Sequence, residues 1–167
     1  MSSNPRERIE PGPGQESVWD YPRPPRVEPT DRRVRVVHAG HTLADTTAAH
    51  RVLETSHPPN YYIPPADVDT NVLHKVGGGT VCEWKGRATY YDVVLGDETT
   101  ERAVWTYDNP TPDFASIAGC FCFYPAAFDA CYVDDEKARP QSGAFYGGWI
   151  TSDVVGPFKG SAGTMFW

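Results

Sequence analysis

The sequence predicts a mainly β protein built from short antiparallel strands, with one or two short helices. Fifteen glycines and sixteen prolines make up nearly a fifth of the 167 residues, whereas average proteins contain about 12% of the two together, so long helices are excluded over most of the chain. Short segments that alternate apolar and polar side chains recur between turn residues, which is typical of antiparallel sheets. Hydrophobic residues form 40% of the chain, enough for one core, and the length favours one domain.

The composition divides the chain into three regions. Residues 1–32 are predicted to form a disordered or extended leader, because seven prolines fall within the first 29 positions and apolar periodicity is absent. Residues 33–139 are predicted to form the β domain. Residues 140–167 are rich in glycine and aromatic side chains, and we expect them to form an irregular tail that packs on that domain.

Alternation along the β domain predicts eight strands, with two short helices between them. The strands are expected at 33–38, 41–45, 50–54, 80–84, 88–95, 102–107, 120–124 and 129–133. One helix would begin near Pro65, since proline tolerates the first helical position, and would end at 77–79. The other would span 113–118, with Asp113 as its N-cap.

The charge distribution argues against partners with phosphate backbones. The net charge is −7, and it is uneven: residues 1–35 carry seven arginines and six acidic residues, whereas the remainder carries eight basic and sixteen acidic residues. Nucleic-acid binding normally needs a basic face, so no such role is expected. No apolar run approaches the roughly 18 to 20 residues of a membrane span, and no apolar stretch resembles an export signal. We therefore expect a soluble cytoplasmic protein without a membrane partner.

The four cysteines and five histidines do not form a familiar metal motif. Structural zinc sites usually take two ligands from a C-x-x-C turn, whereas the close pair here is Cys120 and Cys122, whose side chains would share one face of a strand. The histidines all fall within positions 38–74, and a metal site with Glu54 or Asp45 is the alternative, but the spacings match no compact motif. No metal or cofactor is expected, and a zinc-stabilised module is kept as an alternative.

The segment 82–86 combines a thiol, an ammonium and a flexible turn. Cys82 and Lys85 lie three residues apart, ahead of Gly86, which permits a tight backbone turn. With Cys82 facing inward and Lys85 at the mouth of the turn, the ammonium would favour the thiolate, and it would equally bind a carboxylate or phosphate. Cys82 and Lys85 are therefore candidate catalytic residues. The alternative is a packed cysteine beside a solvated lysine, which is the commoner arrangement.

Aromatic side chains are concentrated in and after this turn. Tyrosine and tryptophan combine an apolar ring with a polar tip, and several of them around one concavity would form a small-molecule pocket. The predicted ligand-binding residues are Trp84, Tyr90, Trp105, Tyr107 and Tyr124. The alternative is an ordinary aromatic core whose hydroxyl groups reach its rim.

The order of several short motifs resembles that of a known family. The motifs are Glu54, Tyr62-Ile63-Pro64-Pro65 with Asp67-Val68, Cys82, Lys85-Gly86, Ala88, Tyr90-Tyr91, Ala103-Val104-Trp105-Thr106-Tyr107, Pro110 and Phe123-Tyr124. Over about 34–133 they resemble the family called domain of unknown function 427. The resemblance implies two antiparallel β-sheets that meet at an angle, similar to the β-tent topology. The family's label suggests nucleotidyl transfer, but we find no phosphate-binding Gly-Ser pair or metal-binding Asp pair that supports it.

Two functional hypotheses follow from these residues. The first is a small-molecule binding protein or cofactor-free enzyme, in which Lys85 holds an anionic group and Cys82 acts as a nucleophile. The second is a non-catalytic interaction module whose leader or tail docks on a partner. An exposed patch of aromatic tail residues would favour the second hypothesis. Those residues are Phe145, Tyr146, Trp149, Phe158 and Trp167.

Overall fold

The computed structural model describes residues 7–77, 79–143 and 146–167, and the predictions for Gly78 and Phe145 lie outside them. The strands are β1 (Glu16–Ser17), β2 (Arg26–Pro29), β3 (Val34–His38), β4 (His41–Thr46), β5 (His50–Leu53), β6 (Asn60–Tyr62), β7 (Leu73–Val76), β8 (Val81–Cys82), β9 (Gly86–Arg87), β10 (Thr89–Leu95), β11 (Glu98–Thr106), β12 (Phe121–Phe123), β13 (Ala130–Val133), β14 (Glu136–Lys137), β15 (Arg139–Pro140), β16 (Trp149–Ile150) and β17 (Val154–Val155). The 3-10 helices are Val18–Asp20, Pro65–Asp67, Thr70–Val72, Pro112–Ile117 and Pro125–Ala127.

Two four-stranded antiparallel sheets form the framework, which confirms the predicted mainly β fold. One sheet has the strand order β12-β11-β10-β7, and the other has the order β14-β13-β3-β4. The main core takes side chains from both sheets: Val34 and Val36 from β3, and Val104 and Phe123 from β11 and β12, are all fully buried in it. Alternation of side chains along each strand explains this division between core and surface.

The first sheet is apolar on its second face as well. Val104 belongs to the main core, whereas the next residue, Trp105, belongs to a separate aromatic cluster. Trp105 lies opposite Tyr90 on β10 and Cys122 on β12, so one row across three strands faces that cluster. A sheet buried on both faces holds these side chains on a rigid support, and this is the support of the site described below.

Parts of the leader and tail are packed on the domain. β2 pairs with β5 in a three-stranded sheet, and β1 pairs in parallel with β17. Val18 is fully buried in a third apolar cluster. Arg51 on β5 donates to the Glu16 carboxylate at 2.6 Å and also pairs with Glu28. The leader is therefore held by backbone pairing, an apolar anchor and ion pairs.

The two predicted helical segments are 3-10 turns. Near Pro65 the chain makes two such turns before it enters β7. The prediction of Asp113 as an N-cap is wrong: the later helix begins at Pro112, with Thr111 at the N-cap position, because proline suits the first helical position, where its missing N–H would be unpaired in any case. None of the described helices is long and apolar enough to cross a bilayer.

Candidate functional site

One cavity brings together all seven residues that the sequence predicts as a site. It has a volume of about 440 Å³ and opens to solvent, and we call it the aromatic cavity. The predicted residues that line it are Cys82, Trp84, Lys85, Tyr90, Trp105, Tyr107 and Tyr124. The hairpin β8–β9 provides the first three, and the second face of the first sheet, with the residues that follow its strands, provides the rest.

Lys85 lies in the turn of hairpin β8–β9 and is buried, so the alternative of a solvated lysine is wrong. Only 7% of the residue is exposed, because the loop before the Pro112 helix packs against the hairpin. Thr111 donates its backbone N–H to the Lys85 carbonyl at 3.1 Å and its hydroxyl to the Trp84 carbonyl at 2.6 Å. Gly86 completes the turn with a φ of 107°, a conformation that favours glycine.

The Lys85 ammonium has no acidic partner within the described residues. Its Nζ lies 5.6 Å from the centroid of the Tyr107 ring, and its charge also acts on the Cys122 thiol. Removing an ammonium from water without a carboxylate partner is costly, and a ring face recovers only about 0.5 to 2 kcal/mol. A buried cation in a solvent-open cavity is therefore well suited to pair with an anion that enters from outside.

Cys82 is the one half-buried cysteine among four free cysteines. Burial raises the pKa of Cys120, raises that of Cys131 to about 12, and raises that of Cys122 well above the usual range, even though Lys85 opposes this last shift. Thiols that remain protonated are poor nucleophiles. Of the four cysteines, Cys82 is the one that lines the aromatic cavity.

The aromatic side chains of the cavity contact one another. The rings of Trp105 and Tyr124 lie 4.5 Å apart between centroids, and Trp105 Nε1 donates to the Tyr62 hydroxyl at 3.1 Å. Tyr62 also lines the cavity, although the sequence analysis did not name it as a site residue. Burial raises the pKa of Tyr62, Tyr107 and Tyr124, so their hydroxyl groups stay protonated near neutral pH.

The residues of the aromatic cavity that the sequence predicts fall within a segment that matches a known protein family. A family model described as a domain of unknown function, DUF427, matches residues 26–134. The chain belongs to the DUF427 family. The resemblance predicted from the sequence is confirmed, and the DUF427 match includes all seven predicted site residues. A comparison with curated proteins finds no match.

Further polar side chains of this DUF427 cavity come from segments that the sequence analysis did not connect with it. They are Arg23, Glu54, His57, Asn60, Gln141 and Lys159. Burial lowers the pKa of the His57 imidazole, and the Glu54 carboxylate only partly opposes this shift. Asn60 Oδ1 is buried without a hydrogen-bond partner in the described structure, so the wall contains one unpaired acceptor. Glu54 stands among the family motifs, which is the one sequence signal that pointed to this part of the wall.

The tail of the DUF427 protein does not present its described rings as one exposed patch. Trp149 is fully buried in the main core, and Phe158 packs against the third apolar cluster. Tyr146 and Trp167 line the aromatic cavity, and Phe145 lies outside the described residues. In the described part of the chain, no three His, Cys, Asp or Glu side chains are grouped so that they could hold a metal ion.

Proposed function

We propose that this DUF427 protein binds a small anionic molecule with a flat apolar body in the aromatic cavity. The observation that carries the proposal is Lys85, a residue that is 7% exposed, whose ammonium has no carboxylate partner within the described residues and which lies in the wall of a solvent-open cavity. An anion bound there would replace the lost hydration of the ammonium with a charge-assisted hydrogen bond.

The rings support a planar ligand. Indole and phenol rings offer large apolar area at low cost in side-chain entropy, and they favour flat partners in offset or edge-to-face contact. The cavity volume of about 440 Å³ falls within the usual range for small-molecule sites. Protonated tyrosine hydroxyls and the unpaired Asn60 Oδ1 would add polar contacts that orient the ligand.

The charges around the cavity favour an anion over a cation. Arg23 is compensated by Glu54, at 3.4 Å. Lys159 has its Nζ 5.8 Å from the Tyr146 ring centroid and, like Lys85, forms no ion pair with another described residue. Glu83 is the remaining acidic residue that lines the cavity, and it is exposed to solvent, where its charge is screened.

Cys82 is the candidate nucleophile of the same cavity. It is half-buried at the turn end of the hairpin that carries Lys85, and its register partner is Gly86. A ligand held by Lys85 would lie against the same short hairpin. Binding does not depend on this thiol, so a Cys82→Ser variant is expected to retain the ligand and lose any covalent chemistry.

The test compares biphenyl-4-carboxylate with its uncharged amide, biphenyl-4-carboxamide, by ligand-observed NMR or calorimetry. Wild-type protein is expected to bind the acid more tightly than the amide by about tenfold or more, because only the acid forms a charge-assisted hydrogen bond. In Lys85→Met this preference should disappear, whereas Lys137→Met, which removes an exposed lysine outside the cavity, should keep it. Equal binding of acid and amide to the wild type would overturn the proposal.

A further inference from the structure

A second cavity adjoins the aromatic cavity. It has a volume of about 480 Å³ and also opens to solvent, and we call it the adjoining cavity. The residues that line both cavities are Thr80, Tyr90, Tyr124 and Tyr146. Thr80 and Tyr90 share a hydrogen bond of 2.8 Å between their hydroxyl oxygens. The two cavities therefore meet along a wall whose exposed groups are rings and hydroxyls.

A bulge in the first sheet places a positively charged side chain in the wall of the adjoining cavity. Tyr91 pairs with Val104 and Val93 pairs with Thr100, so a single residue of β10 faces three residues of β11, 101–103. This bulge turns the backbone at its centre into the left-handed region, where the residue has a φ of 47°. Bulges of this kind re-aim side chains and are frequent beside functional sites.

The residue at the centre of the bulge is Arg102, not glycine. A non-glycine residue at this φ costs on the order of a kcal/mol, and such strain is concentrated at functional positions. The strained conformation is held in place, since Asp92 Oδ1 accepts the Arg102 backbone N–H at 2.8 Å. A glycine would relieve the strain but would remove the guanidinium, so the sequence keeps the charge at an energetic cost.

The guanidinium of Arg102 is positioned but not neutralised. Its Cζ lies 4.5 Å from the centroid of the Tyr90 ring, which belongs to the shared wall. Arg102 forms no ion pair with another described residue. Glu101 also lines the adjoining cavity, but within the described structure it does not pair with Arg102. The Tyr90 ring contacts the guanidinium through its face, and the N–H groups of the guanidinium suit a planar anion.

We propose that the ligand of this protein is an elongated dianion, with one acidic group at Lys85 and the second at Arg102. This inference rests on the proposed function, because it extends the same ligand across the shared wall. The middle of the ligand would pass over Tyr90 and Tyr124, whose rings suit an apolar or aromatic spacer and whose hydroxyls suit a polar one. Carboxylate and phosphate ends share the chemistry that Lys85 and Arg102 recognise.

The test uses two probes that differ only in the second acidic group, biphenyl-4-carboxylate and biphenyl-4,4′-dicarboxylate. The dicarboxylate should bind wild-type protein about three- to tenfold more tightly, a range set by one charge-assisted contact at an exposed site, and the gain should shrink at high salt. Arg102→Gln should remove the gain and leave binding of the monocarboxylate unchanged. Arg102→Lys should retain part of it, because the charge is kept and the planar fork is lost.

Arg139→Gln is the matched control, since it removes an exposed arginine that lines neither cavity, and it should leave the gain intact. A dicarboxylate that binds no more tightly than the monocarboxylate, or a gain that survives Arg102→Gln, would overturn this inference. If either result is found and the monocarboxylate still binds in a Lys85-dependent manner, the proposed function is retained and only the second acidic subsite at Arg102 is rejected. If neither probe binds the wild type, both proposals fall together.

Discussion

Replacing Lys85 with methionine separates a ligand-binding lysine from a structural one. Methionine keeps the unbranched apolar stem, which packs within the hairpin, and removes only the charged end. If Lys85 serves a ligand, the substitution should weaken ligand binding without destabilising the fold. If Lys85 instead stabilises the hairpin through its charge, the free energy of unfolding should fall.

The magnitude follows from what the ammonium contacts. Its contact with the Tyr107 ring is at 5.6 Å, a distance near the outer limit for a cation–π contact, which is worth about 0.5 to 1 kcal/mol. Against this stands the cost of keeping a charge in a residue that is 7% exposed, and removal of buried charge is often neutral or stabilising. We therefore expect a change in the free energy of unfolding between a loss of about 0.5 and a gain of about 2 kcal/mol.

Urea denaturation of wild-type and Lys85→Met protein, followed by tryptophan fluorescence, measures this difference. Binding of biphenyl-4-carboxylate should weaken in the same variant by about 2 kcal/mol, or roughly 30-fold. A loss of more than about 1 kcal/mol in stability without added ligand would refute the reasoning, since it would exceed the contribution of one cation–π contact of this kind and show that the charge contributes to the fold. Unchanged binding of the probe to Lys85→Met would also refute the reasoning, since it would show that Lys85 does not hold the ligand.

Three further predictions concern other parts of the aromatic cavity. A Cβ at Gly147 would lie 2.3 Å from an atom of the Trp105 ring. Gly147→Ala should therefore lower the free energy of unfolding, measured by thermal denaturation, by about 1 to 3 kcal/mol and weaken probe binding. Unchanged binding would contradict this packing. Cys82 should be the first thiol alkylated by iodoacetamide in peptide mass spectrometry, and bound biphenyl-4-carboxylate should slow the reaction; faster labelling of a buried cysteine would contradict the assignment. Burial lowers the pKa of His57 below its usual 6.5, so the stability that it contributes should be present above about pH 6.5 and be lost as the pH falls towards the folded-state pKa. In His57→Gln, the free energy of unfolding measured with urea should depend less on pH across this window. The exposed-site variant His41→Gln should keep the pH dependence of the wild type.

The strands were predictable because their pattern is local. Alternation of apolar and polar residues marked β3, β10 and β11 to within a few residues. The same local reading located the turn at 82–86, since a thiol, a lysine and a glycine lie within five positions. Tyr90, Trp105, Tyr107 and Tyr124 line one cavity because they lie on one face of the first sheet or directly after its strands, and the hairpin β8–β9 adds Cys82, Trp84 and Lys85.

The features of the site that the sequence did not predict depend on contacts between distant segments, which a local pattern does not contain. Lys85 was expected at the mouth of a turn, and it is buried because Thr111 hydrogen-bonds to the hairpin from 26 positions further along the chain. His57 and Lys159 reach the cavity from a loop and from the tail, with no shared motif. The bulge at Arg102 also lacked a signal, because its left-handed residue is an arginine in a segment that otherwise alternates like a strand.

A crystal structure of the protein with bound biphenyl-4-carboxylate tests the proposed binding mode most directly. The proposal predicts a carboxylate oxygen at about 3 Å from Lys85 Nζ, the usual length of a charge-assisted hydrogen bond, with the biphenyl rings against Trp105 and its neighbours in the aromatic cavity. A probe bound elsewhere, for example in the larger cleft lined by Arg32 and Arg51, with Lys85 still unpaired, would contradict it.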